Sequence, residues 1–166
     1  MPLRSTILAT PERLSDFLLA ADDRFADAEE LLAQQRFDVS VYLFGYAAEM
    51  WLKAACLRLR GLGPTAPAKA GLTTLKHWMK SAAPAVPFTD YHDLAFYAQA
   101  VPTLRSSIGR PLSAVQAAEL QARVVNGLYA EWVVDMRYHR VGLTPTEAWT
   151  ALADTWWVKM NGLSLT

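Results

Sequence analysis

The chain has one cysteine, Cys56, so it can form neither an internal disulfide nor a cysteine-built zinc cluster. Cys56 lies in an apolar stretch, which predicts a buried, unreactive thiol. Histidine is also scarce: the three present show no HExxH arrangement and no paired ligand spacing, so no metal site is expected. Net charge is absent. Lys plus Arg and Asp plus Glu both number 16, so no global field draws the protein to nucleic acid or an anionic membrane, and such binding would need a local patch. Long apolar runs are missing too: the most apolar stretch, Val41 to Leu57, is broken by Glu49 and Lys53 and does not read as a membrane span. Met1 to Thr10 carries one Arg and a very short apolar run, too little for a secretory signal, which makes the cytoplasm the expected location. There is no P-loop, nucleophile elbow or kinase lysine motif. The run from Gly61 to Ala66 fits a relaxed dinucleotide fingerprint in form only, because it follows a helix and Pro64 removes an amide donor. No cofactor is expected.

What is present is apolar mass. Hydrophobic residues make up 52% of the 166, with six each of Trp, Tyr and Phe against 19% charged residues, which excludes a disordered chain. This length is that of one ordinary domain with one core, spanning residues 1–166.

The apolar residues recur at helical steps. Thr10, Pro11 and Glu12 form a helix-start signal, and Leu14, Phe17, Leu18, Ala21, Phe25, Ala28 and Leu32 then trace one face to about Gln35. Asp22, Asp23, Glu29 and Glu30 fall mainly off that stripe, and a solvated face explains them more cheaply than a metal site does. Asp38 or Ser40 is a candidate cap for a second helix to about Arg60, apolar almost all round and hence central. A Pro/Ala/Gly loop to Gly71, a short helix over Thr74–Lys80 and another over Asp90–Ala100 capped by Thr89 follow. Ser113 and Gln116 form a capping box for a long helix whose stripe is Val115, Ala118, Ala122, Val125, Tyr129, Trp132, Val133 and Met136, with Gly127 a candidate kink. Thr144, Pro145 and Glu147 start the last helix, in which Trp149, Leu152, Trp156 and Met160 are assigned to the core, and Asn161-Gly162 ends it. No segment shows strand alternation and there is no internal repeat.

Two motifs carry a family resemblance. The stretch from Tyr46 to Ala55, with Glu49 and Lys53 four residues apart, resembles the second-helix signature of HEPN domains. The stretch from Trp132 to Tyr138 is similar to the Arg-Tyr element that ends the penultimate long helix of many members. The resemblance spans about residues 10–160. It implies an all-α, antiparallel up-and-down bundle of four to five helices, commonly a homodimer, in a family that includes nucleotide-binding modules, ribonuclease toxins of toxin-antitoxin pairs and partners of small nucleotidyltransferases. Many nuclease members carry Arg followed after four to six residues by His, to hold a phosphate and handle the proton of an attacking ribose hydroxyl. That spacing occurs nowhere here. The nearest pair, Arg137 and His139, would point about 200° apart on a helix. In many non-nuclease members Pro follows the Arg-Tyr, whereas here His139 and Arg140 do.

Glu49 and Lys53 stand one turn apart in the favourable order, and in so apolar a helix their charges need partners. Arg137 is the natural partner for Glu49, since a guanidinium binds a carboxylate bidentately. Two readings follow: a structural polar network that sets helix register, or a groove of Glu49, Lys53, Arg137, Tyr138, His139 and Arg140 that binds a phosphate-bearing ligand. Lys76, His77 and Lys80, with Arg58 and Arg60 earlier, suggest a modest basic patch, though such a run is usually a solvated face, and His92 reads as a first-turn or surface residue. The expectation is therefore a non-catalytic, dimeric binding or assembly module for nucleotide, RNA or a nucleotidyltransferase-type partner. The alternative is a metal-independent, toxin-like ribonuclease using Arg137 and His139. Trp157, off the Trp149–Trp156 line, is the expected interface residue, with folding back over a neighbouring loop as the other outcome.

Overall fold

A computed structural model of the chain describes residues 12–128, 130, 132, 134–138, 142–162 and 164–166, with Arg137 and Tyr138 described by backbone alone. The regular elements among the described residues are all helices, and the one strand-like feature among them is a bridge between Arg13 and Pro67. They form six α-helices instead of the expected four or five, together with one π and one 3-10 segment.

Helix α1 runs Leu14–Ala33. Thr10 and Pro11 lie outside the described residues, but Glu12 and Arg13 precede the helix and do not form its first turn. The start is held instead by Asp16, whose carboxylate accepts from the Arg13 amide at 2.8 Å, and by the Pro64 and Ala66 carbonyls, which accept from Ser15 and Leu14. Gln35, at a φ of +59°, turns the chain, and the Arg36 amide closes the turn on Leu31.

Helix α2, Phe37–Leu59, is the central element expected: it is buried almost all round and packs against α1, the later α4 (Leu94–Ser107) and α6 (Pro145–Asn161). Neither Asp38 nor Ser40 caps it. Ser40 is buried and donates its hydroxyl to the Ala28 carbonyl, pinning α2 to α1, while Asp38 accepts from the Gly142 and Leu143 amides. Phe25, Phe44 and Trp51 form a ring cluster between the two helices.

Helix α3, Ala68–Ala82, is longer than the expected segment, because the alanines after Pro67 join it. Gly71 is helical and not loop, and its missing side chain leaves room for Leu57 and Leu62. Helix α4 begins at Leu94 instead of Asp90, with Asp93 as cap accepting from the Phe96 amide. Thr89, the expected cap, donates its hydroxyl to Asp93.

The Ser113–Gln116 box starts α5, Ala114–Leu120, as predicted, but the chain then widens into a π segment, Gln121–Leu128. The buried positions become Leu120, Val124 and Leu128, and Val115, Ala118 and Ala122 are exposed. Tyr129 and Val133 lie outside the described residues. Trp132 is fully buried, donates to the Tyr42 carbonyl at 2.9 Å and presses on Gly45, where any Cβ would overlap its ring; a 3-10 turn, Val134–Tyr138, follows.

Helix α6 has the predicted Thr144–Glu147 box with Pro145 in its first turn. Its buried face is different from the one expected. Ala148, Ala151, Thr155 and Val158 face the core, Trp149 and Trp156 are 58% and 51% exposed, and Trp157 is half-buried against the core. Small residues let α6 approach α2 closely, and two indole rings on that line would hold the helices apart.

Candidate functional site

Glu49 is 1% exposed and Lys53 is almost as deeply buried, and their side chains are directly ion-paired along α2. They sit at a cleft of about 530 Å³ bounded by α1, α2, α3 and the Tyr91–His92 segment before α4. The sequence pairing of these two residues is therefore realised, and the pair borders open space.

The segment before α4 completes the arrangement. Asp93 caps α4, the His92 amide donates to the Asp90 carboxylate, and the Tyr97 hydroxyl donates to the Tyr91 carbonyl at 3.2 Å. These bonds hold His92 with Nδ1 at 3.2 Å from the second Glu49 oxygen. Both oxygens of Glu49 are thus engaged, one by Lys53 and one by His92. Lys53 also lies over the Tyr97 ring, 5.3 Å from its centroid, so its charge meets a carboxylate and a π face. Tyr42, Tyr46 and His92 form a continuous stack, with centroids 6.0 and 6.2 Å apart.

The titrations follow from these contacts. The hydrogen bond to Glu49 raises the His92 pKa above its ordinary value against the opposing pull of burial, so the imidazole tends to hold its second proton beside the carboxylate. Burial and then the Glu49 charge raise Tyr46, which stays a neutral phenol. Burial dominates the upward shift of Tyr97, and likewise that of the enclosed thiol of Cys56, in keeping with the inert thiol its apolar stretch predicts.

The cleft therefore offers an imidazole beside a neutralised ion pair, flat rings (the Tyr46–His92 stack and Tyr91), and the apolar atoms of Phe17, Met50 and Leu72. Arg24 and Lys69 line it on α1 and α3, together with the carboxylates of Glu12 and Asp16. Among the described residues no group of three or more His, Cys, Asp or Glu is arranged to hold a metal ion. No helix among them is long and apolar enough to cross a membrane.

Of the residues singled out from the sequence, Glu49 and Lys53 are brought together here. The side chains of Arg137 and Tyr138, and His139 and Arg140 altogether, lie outside the described residues. His92, by sequence a surface or first-turn residue, is instead a cleft residue bonded to Glu49. The signal for it is chemical. A buried carboxylate has two oxygens to satisfy and Lys53 occupies one, so a second donor is required from one of few remaining polar groups.

A second buried carboxylate, Asp154 on α6, takes Arg123 of the π segment at 3.2 Å, and Arg123 also binds Glu119 at 2.6 Å. Its carboxylate packs against Gly127, where a Cβ would stand 2.5 Å from Oδ2. Comparison of the chain with protein-family models, curated proteins and solved structures returned no match.

Proposed function

We propose that the chain is a non-catalytic, HEPN-like binding module whose antiparallel bundle holds a nucleotide in the Glu49–Lys53–His92 cleft. The observation that supports this most is the buried Glu49–Lys53 pair opening on a cleft faced by stacking rings. A base lies against Tyr46, His92 or Tyr91, as flat heterocycles do on aromatic faces. His92 meets its polar edge, and Lys69 and Arg24 meet phosphate oxygens. The absence of any Arg-x(4–6)-His spacing favours binding over cleavage. A thermal-shift series with mononucleotides tests it. At a hundredfold excess over Kd, a ligand adds about 2.7 kcal/mol, which for a domain of this size raises Tm by roughly 5–10 °C. The shift should vanish in Tyr46→Ala. No shift with any nucleotide would turn the reading towards a protein partner such as a nucleotidyltransferase.

A homodimer belongs to the same proposal, on a different face from the one expected at Trp157. Trp149, Trp156 and Met160 are exposed apolar residues along α6. The charged residues of α6 are engaged elsewhere: Glu147 in the cap, Asp154 with Arg123 and Lys159 with Asp22. Trp149 and Trp156 are placed symmetrically about Leu152 and Ala153, so a two-fold axis there sets each Trp149 against the other copy's Trp156. Light scattering should report a dimer at micromolar concentration that Trp156→Glu dissociates. A monomeric parent, or a dimer indifferent to that change, removes the face.

A further inference from the structure

The zero net charge conceals a strong local imbalance. Between Glu49 and Asp90 the chain has Lys53, Arg58, Arg60, Lys69, Lys76 and Lys80 and not one Asp or Glu. Residues 12–38, by contrast, hold eight acids (Glu12, Asp16, Asp22, Asp23, Asp27, Glu29, Glu30 and Asp38) against three arginines. The cationic stretch includes all of α3, and α3 arranges part of it in a line. At about 100° per residue, Lys69, Lys76 and Lys80 fall within about 40° of one another, beside the buried stripe of Leu72, Leu75 and Met79. Arg60, which lies over Trp78, belongs to the opposite flank.

The line begins in the cleft. Lys69 lines it, Thr73 one turn on lies 3.4 Å from the Tyr91 hydroxyl, and Lys76 sits 4.3 Å from the centroid of Phe88 and 5.8 Å from that of Tyr91. Tyr91 is 40% exposed and faces both the cleft and the lysine line. Among the described residues Lys69, Lys76 and Lys80 make no ion pair, while Arg24, Lys53, Arg123 and Lys159 each do. Three aligned cations with no carboxylate on their own helix, the middle one beside the Phe88 and Tyr91 rings, are complementary to a chain of phosphates that also presents flat bases.

We infer that the lysine line of α3 is a track for the phosphate backbone of a single-stranded nucleic acid, whose terminal or looped-out nucleotide occupies the cleft. This rests on the nucleotide reading of the cleft for where the strand starts, and on the track's own geometry for how it continues. A lipid surface fits less well, because an anionic bilayer is usually met by apolar residues beside the cations, and here the exposed ring is a tyrosine whose hydroxyl is 3.4 Å from Thr73.

Fluorescence anisotropy with the full chain and labelled single-stranded 12-mers, competed by mononucleotides, tests it. The oligonucleotide should bind at least tenfold more tightly than the mononucleotide. Its log K should fall with log salt, and replacing two track lysines should flatten that slope by roughly 1.4, at about 0.7 per phosphate contact. Lys76→Glu/Lys80→Glu should cost the oligonucleotide tenfold or more and leave mononucleotide binding unchanged. Equal affinity for both ligands, or an oligonucleotide indifferent to the double variant, overturns the track and leaves the cleft reading standing. Lysine-dependent oligonucleotide binding without any mononucleotide binding keeps the track and removes the cleft reading. Binding of a duplex or of phosphatidylserine vesicles as tight as that of the single strand, and equally lysine-dependent, overturns the single strand as occupant.

Discussion

Glu49 and Asp154 are both buried carboxylates on helices, and each holds a cation, yet their surroundings differ in what the cation can do. Lys53 is buried with Glu49, one turn along the same helix, and the pair is almost wholly covered although it borders the cleft. Arg123 is 35% exposed by side chain and divides its donors between Asp154 and Glu119. Burial raises the Asp154 pKa while Arg123 opposes it, the pattern of a carboxylate used as a strut between the π segment and α6. Glu49 instead joins a helix, a loop histidine and an open cleft. Two ion pairs of similar composition are separated by how far the cation is exposed to water, and that decides which one is costly to dismantle.

The comparison breaks first at Glu49. Glu49→Ala leaves an ammonium buried without its carboxylate and should cost about 3–5 kcal/mol of unfolding free energy in urea, the loss typical of halving a buried pair. Glu49→Leu with Lys53→Met should recover most of it, because an apolar pair of similar volume needs no partner. Asp154→Ala should cost less, about 1–3 kcal/mol, since Arg123 keeps Glu119 and water. Equal losses at the two sites would mean that Lys53 finds solvent through the cleft and that burial is not what distinguishes them.

These contrasts are unevenly legible in the sequence. The central place of α2 follows from its apolar circumference, and the Thr144–Glu147 box locates α6 because capping chemistry is local. The face of α6 does not follow. Trp149 and Trp156, seven residues apart, form the more hydrophobic line, but the line that meets α2 is chosen by how closely backbones can approach, which favours Ala148, Ala151 and Thr155. The widening of the helix after Leu120 coincides with tertiary contacts, among them Asp154 against Gly127 and Arg123 reaching α6, which periodicity within one segment does not record. His92 escapes because its partner is 43 residues away. The Glu49–Lys53 half of the site is readable as a helical pair; the loop half depends on long-range closure.

The finest distinction between the two carboxylates is that Glu49 has a titratable partner and Asp154 a permanent cation. The hydrogen bond to Glu49 is the largest cause raising the His92 pKa, burial and the Lys53 charge oppose it, and Asp90 adds to it. A pKa raised by folding means that the folded protein binds the imidazole proton more tightly than the unfolded chain does. The stabilisation is then fully present below the ordinary histidine value of about 6.5 and is lost as pH rises through the higher folded value. Because more than a third of the His92 side chain is exposed, solvent screens the pair, and the effect should be smaller than that of replacing either carboxylate. The measurement compares the parent with His92→Gln in urea at about pH 5.5 and about pH 8, on either side of the ordinary histidine value. The parent's advantage should be larger at the lower pH, and Asp154→Ala should show no such His-range dependence of its deficit. An advantage that is equal at both, or larger at the higher pH, would show that His92 supports Glu49 as a neutral donor, and the proton would then play no part in holding the cleft.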